Sequence, residues 1–161
     1  MLSEDFGHPV GGEAPPAVWD EVFSTFGRIQ AHAAAHLDQL AAMGCRDIIL
    51  THLTDQIEHL ASEAANLSAL DDFEVQRLHE LTPRLSAMSS ELQECRVPRS
   101  LVHGDLHLGN VALHRGQYLF FDWIDSCVSH PFLDTAYIFA ENAKHEAQCR
   151  DAYLVHWTEY E

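Results

Sequence analysis

The periodicity of the chain changes at Pro98, and that change restricts the available folds more than any other feature. Before it, apolar residues recur every three or four positions: Val18, Val22, Phe26, Ile29, Ala33 and Leu37; then Ile49, Leu53, Ile57 and Leu60; then Leu78, Leu81, Leu85, Met88 and Leu92. Such spacing puts each set on one face of a helix. It predicts a helix from Pro16 to Met43, ended by Gly44, and a second from Asp47, as its cap, to Asn66. A third starts at Asp72, where Pro83 either kinks the helix or restarts it behind Thr82. All three stripes are expected to be core. After Pro98 the pattern turns to short extended runs, Ser100 to Val102, Val111 to Leu113 and Tyr118 to Phe121. A later helix is expected from Phe132, with Ala136, Phe139, Ala140 and Ala143 as its apolar face, and a further one reaching Glu161. The fold class is therefore α+β, mainly helical, with a small β-hairpin, and 161 residues suit one domain with a real core.

The hairpin fixes a local geometry. If Arg115 and Gly116 are its two loop residues, Asn110 faces Phe121 and Gly109 faces Asp122. Its open end then brings Asn110 and Asp122 within one residue of each other. Regular pleating would point the two side chains to opposite faces, so the backbone must leave strand geometry near Gly109 for both to reach one point.

Bulk properties exclude some functions. Nine Lys plus Arg against twenty-five Asp plus Glu give a net charge of -16, which disfavours nucleic acid and anionic membranes as partners. Much of that acid excess is expected to solvate helix faces. Cys45, Cys95, Cys127 and Cys149 are widely spaced, as reduced thiols of a cytoplasmic protein would be. No apolar run is long enough to span a membrane, and the opening LSEDFGHP lacks the basic start and apolar run of a signal peptide. The segment from Gly7 to Pro16, rich in glycine and proline, reads as an irregular connector.

The chemistry-bearing residues cluster around the hairpin, in HGDLHLGN (His103 to Asn110) and FFDWID (Phe120 to Asp125). Asp105 is a carboxylate in a loop between extended segments, able to accept a hydrogen bond from an attacking hydroxyl and orient it. Asn110 offers a neutral oxygen and Asp122 a charged one, the hard ligands that Mg2+ prefers alongside water and phosphates. Taken singly, each could be a turn or cap residue. Asp125 is a further candidate for the floor of a cleft, with a turn role as its alternative.

Together these segments resemble the catalytic loop and metal-binding segment of the aminoglycoside phosphotransferase family, small-molecule kinases with a protein-kinase-like fold. HPFLDTA (His130 to Ala136) resembles the stretch leading into the family's next helix. The resemblance is strong from Leu101 to Ala140, whereas the upstream helices match the family's C-terminal lobe only in pattern. It implies that Asp105 is the catalytic aspartate, that Asn110 and Asp122 ligate magnesium, and that Asp134 braces the loop from below. His103 and His107 would be structural supports, since magnesium disfavours imidazole. His130 departs from the family pattern, which often has an acidic residue before the proline.

The implied activity is ATP- and magnesium-dependent transfer of a phosphoryl group to a hydroxyl of a small molecule. Such kinases also use a glycine-rich loop, a strand lysine and a partner glutamate. None is found upstream of His103, and the only lysine is Lys144. Residues 1–7 resemble the family's hinge strand, with Ser3, Glu4 and Phe6 as candidate backbone contacts to adenine. The expectation is thus a C-terminal lobe over residues 8–161, on which an N-terminal lobe of about a hundred residues would pack, the chain alone being inactive. Two other readings remain open: a non-catalytic kinase remnant that binds a partner, and a metallophosphoesterase, which would need a dinuclear metal cage.

Overall fold

The computed structural model describes residues 7–11, 13–136, 138 and 145–160. The chain divides into two compact units, Met1–Asp47 with Val97–Glu161, and Ile48–Arg96.

In the first unit, helix α1 (Pro16–Ala34) begins with a proline at its first turn, where the missing N–H would have no intrahelical partner. It buries Trp19, Val22, Phe23, Phe26, Gly27, Gln30 and Ala33. The helix stops nine residues short of the predicted end at Met43. The N–H groups of Ala35 and His36 turn back to the carbonyls of His32 and Ala33 at 3.2 and 2.9 Å, tightening the last turn. Helix α2 (Leu37–Ala42) then starts on a new axis and buries nothing, so no packing holds it in line with α1. Gly44, at φ +85°, ends it.

Two strands escaped the sequence reading. β1 (Arg46–Asp47) and β5 (Cys127–Ser129) join β2 (Ser100–Val102) in a three-stranded sheet with β5 at its centre. β1 runs parallel to β5 and β2 antiparallel to it. Asp47, expected as a helix cap, is instead a strand residue whose carboxylate pairs with Arg99. Runs this short carry too little alternation to be seen in sequence.

The hairpin consists of β3 (Val111–His114) and β4 (Gln117–Phe120), with Val111 opposite Phe120 and His114 opposite Gln117. Arg115 and Gly116 form its two-residue loop at φ 52° and 78°, the positive pair that a tight right-twisted hairpin requires. Val10 donates its N–H to the Val111 carbonyl at 2.7 Å, and Pro9 lies opposite Ala112, so this short stretch runs antiparallel beside β3. Helix α6 (Glu146–Leu154) closes the unit against α1, and Gly27 sets the approach: a Cβ there would lie 2.9 Å from the Tyr153 carbonyl oxygen. Their shared core includes Trp19, Phe23, Phe26, Leu108, Val111, Ile138, Tyr153 and Trp157.

The second unit contains α3 (Leu50–Ser62), the single turn α4 (Ala64–Leu67) and α5 (Asp72–Glu94). Asp71 and Glu74 close a reciprocal capping box at the start of α5, and Pro83 lies inside that helix instead of restarting it. The expected stripes are inward only in part, with Leu53, Ile57, Leu78 and Leu92 half-buried. Leu50, Ala61 and Ser89 are buried, while Leu60, Leu81, Leu85 and Met88 are 56, 40, 41 and 53 % exposed. Short side chains account for the inward face: Ser89 Oγ donates to the Leu50 carbonyl at 3.2 Å, and small residues let helix backbones approach closely. His79 Nε2 also meets the Ala61 carbonyl at 3.0 Å, near the end of α3 where carbonyls lack intrahelical partners. Among the described residues no helix is long and apolar enough to cross a membrane.

Candidate active site

β2 delivers the chain into the loop that starts at His103. Gly104 adopts φ +87°, and a Cβ on it would sit 2.7 Å from the Asp125 carbonyl oxygen. Both the backbone angle and the space exclude a side chain. Gly104→Ala should therefore destabilise the protein by about 2–4 kcal/mol, from the left-handed penalty plus displacement of the Asp125 backbone. A urea titration reads this directly, and a midpoint equal to that of the parent would refute the loop geometry.

His103 is fully buried. Its Nδ1 faces the Asp105 N–H at 3.4 Å, which leaves Nε2 to carry the proton and donate to the Phe121 carbonyl at 2.9 Å. Trp123 lies against the ring with centroids 4.4 Å apart. The imidazole thus ties the loop to the exit of β4.

Asp134, in a 3₁₀ turn spanning Pro131–Thr135, accepts the backbone N–H groups of His103 at 2.7 Å and Gly104 at 3.0 Å. Burial raises its pKa, and those two donors oppose the rise by favouring the carboxylate. Gln30 from α1 completes the network: its Nε2 donates to Asp134 Oδ2 at 3.0 Å and to the Leu101 carbonyl at 2.8 Å. Its Oε1 accepts from the Tyr153 hydroxyl. Sequence reasoning missed both Gln30 and Tyr153. The signal for Gln30 was its place four residues after Phe26 and three before Ala33, a polar side chain on an apolar face.

Beyond the loop, residues Leu108–Asn110 form a 3₁₀ turn that orients the asparagine. Asn110 Nδ2 donates to both the backbone oxygen and Oδ2 of Asp105, at 2.9 and 3.1 Å. His107 Nδ1 accepts from Gly109 N–H at 3.1 Å, so its Nε2 carries the proton and points at Asp105 Oδ2 from 3.5 Å. Asp105 itself keeps a 58 % exposed side chain. Two neighbours therefore hold one carboxylate oxygen, and the other is left for a ligand.

Across the hairpin mouth, the Phe121 N–H bonds to the Asn110 carbonyl at 3.1 Å, extending the ladder one pair beyond β3 and β4. Asp122 then turns left-handed at φ 63°, ψ 56°, a region that aspartate tolerates better than most residues. The chain leaves strand geometry on both sides of the mouth. Asp122 is exposed and forms no hydrogen bond or ion pair among the described residues. Asp125 is exposed as well, and it is its backbone carbonyl, packed on Gly104 and 3.5 Å from Arg46 Nη2, that meets the loop. Ser3, Glu4 and Phe6 lie outside the described residues, as do Phe139, Ala140, Ala143 and Lys144.

His130, just before the 3₁₀ turn that holds Asp134, is buried, with Nδ1 accepting from Phe132 N–H at 3.2 Å and Nε2 without a partner. Burial lowers its pKa from 6.5 to about 4. Above pH 6.5 both folded and unfolded states are neutral at this site, so it contributes nothing. As pH falls from about 6.5 to about 4, the unfolded chain takes up the proton first and stability drops, by up to about 3 kcal/mol in total. His130→Asn should flatten that part of the stability profile, measured as the difference in unfolding free energy from the parent at neutral and mildly acidic pH.

A family model described as Phosphotransferase enzyme family matches residues 7–161. No curated protein matches the chain.

Proposed function

Because the chain belongs to the phosphotransferase enzyme family, we propose that residues 8–161 act as the kinase-like C-terminal lobe of an ATP- and Mg2+-dependent enzyme. It would transfer the γ-phosphoryl group to a hydroxyl of a small molecule, with adenine held by the backbone of Ser3, Glu4 and Phe6. The observation that carries the reading is the double use of Asn110, whose amide nitrogen grips Asp105 while its carbonyl oxygen stays available beside the hairpin mouth.

That donor set fits magnesium. Asn110 Oδ1 and the Asp122 carboxylate are hard oxygens without competing partners among the described residues, and Mg2+ characteristically takes one or two such ligands together with water and phosphates. When bound, the ion would offset charge on the transferring phosphates. Asp105 accepts the proton side of the acceptor hydroxyl and holds its oxygen in line for attack. His107 and Asn110 restrict the Asp105 rotamer, and His103 with Asp134 fixes the loop that carries it. Among the described residues no three His, Cys, Asp or Glu side chains come together as a metal cage, so the metallophosphoesterase alternative draws no support.

Calorimetric titration of the chain with ATP, with and without Mg2+, tests the proposal. Binding that requires magnesium and is lost in Asp122→Ala is the expected result. Binding that is absent, or unaffected by both changes, would favour a non-catalytic module.

A further inference from the structure

The second unit turns the middle of its best apolar stripe outward. Leu78, Leu81, Leu85, Met88 and Leu92 step by three and four along α5, the a and d positions of two heptads; Leu78 and Leu92 at its ends are half-buried, yet Leu81, Leu85 and Met88 between them are 40, 41 and 53 % exposed. Packing within the unit uses a different line of α5, through Ser89 and its bond to Leu50. In the same heptad frame Pro83 occupies the f position, away from the seam, so its missing N–H leaves the stripe continuous.

We propose that α5 is a self-association surface, and that its occupant is the α5 of a second copy, antiparallel across a two-fold axis near Arg84. Charge decides the partner and the direction. Arg77, Arg84 and Glu91 fall at successive g positions beside the stripe, and an antiparallel pair aligns g with g. Each Arg77 then meets Glu91 of the other copy, twice by symmetry. Leu81 packs on Leu85 of the other copy and Leu78 near its Met88, an a residue against a d residue in each layer. A parallel pair would instead set Arg77 and Arg84 against Thr82 and Ser89 of the other copy, with no charge match. Arg77 is 58 % exposed and within 3.4 Å of Glu80, which it can retain while reaching across. Arg84 meets its own copy at the axis, the one repulsive contact in the register. The surface is independent of the phosphotransferase reading.

Sedimentation equilibrium of the whole chain over a wide concentration range tests this. The expected result is a dimer, converted to monomer by Leu85→Glu with unchanged helix content by circular dichroism. Arg77→Glu and Glu91→Arg should each weaken self-association about tenfold, while an equimolar mixture of the two variants should pair at least as tightly as the parent. Arg84→Gln should tighten the dimer. A monomeric parent at the highest concentration, a Leu85→Glu dimer, or single variants that do not rescue each other on mixing would overturn the proposal.

Discussion

Asp134→Ala should lower the unfolding free energy by about 3–5 kcal/mol, the range for removing one partner of a buried, charged hydrogen-bond network. The carboxylate is 5 % exposed and serves three donors at once, the N–H groups of His103 and Gly104 and the amide of Gln30. Alanine leaves all three in a space too buried for bulk water to replace it. Asp134→Asn should fall between parent and alanine, because its amide keeps one acceptor oxygen but turns an N–H2 toward a donor. Domains of this size are commonly stable by only about 5–15 kcal/mol, so the alanine variant is expected to have a far lower urea midpoint. A loss below about 1 kcal/mol would mean that the backbone of the loop does not depend on this carboxylate.

The second large effect is on chemistry. In an active preparation assayed for ATP consumption against pooled small hydroxyl compounds, Asp105→Ala should reduce substrate-dependent turnover by about 10²–10⁴-fold, the usual contribution of a positioned acid or base. Its side chain is 58 % exposed, so the thermal midpoint should barely move. That contrast separates Asp105 from Asp134, whose loss acts through folding. A variant retaining the parental substrate-dependent rate would remove Asp105 from the role proposed for it.

Much of this arrangement was legible locally. The register of the hairpin follows from Arg115-Gly116, because a two-residue loop with both φ angles positive leaves one possible pairing. The start of α5 follows from Asp71 and Glu74, which satisfy each other's backbone within one turn. Asp105, Asn110 and Asp122 could be named from their types and spacing, whereas His103, His107 and Asp134 were named through the family resemblance. Their hydrogen bonds could not be foreseen, because the Asp134 contacts with His103 and Gly104 span about thirty positions of chain. The helix ends and the sheet were less accessible. Helix α1 stops where His36 turns back on His32, a choice between two close local geometries, and β1 exists only beside β5, itself held between β1 and β2.

Sequence by itself determined which residues share a face, since side-chain direction repeats with the backbone period whatever surrounds it. It thereby defined the helical stripes, the hairpin register and the grouping of chemistry-bearing residues at the hairpin mouth. Tertiary structure decided what covers each face. In α1 the covered face is apolar and includes Gln30, which became the link between the helix, Asp134 and Tyr153. In α5 Ser89 took the most buried place on the inward side, and Leu81, Leu85 and Met88 were left outside. Burial is a relation between two surfaces, and a periodic pattern specifies only one of them.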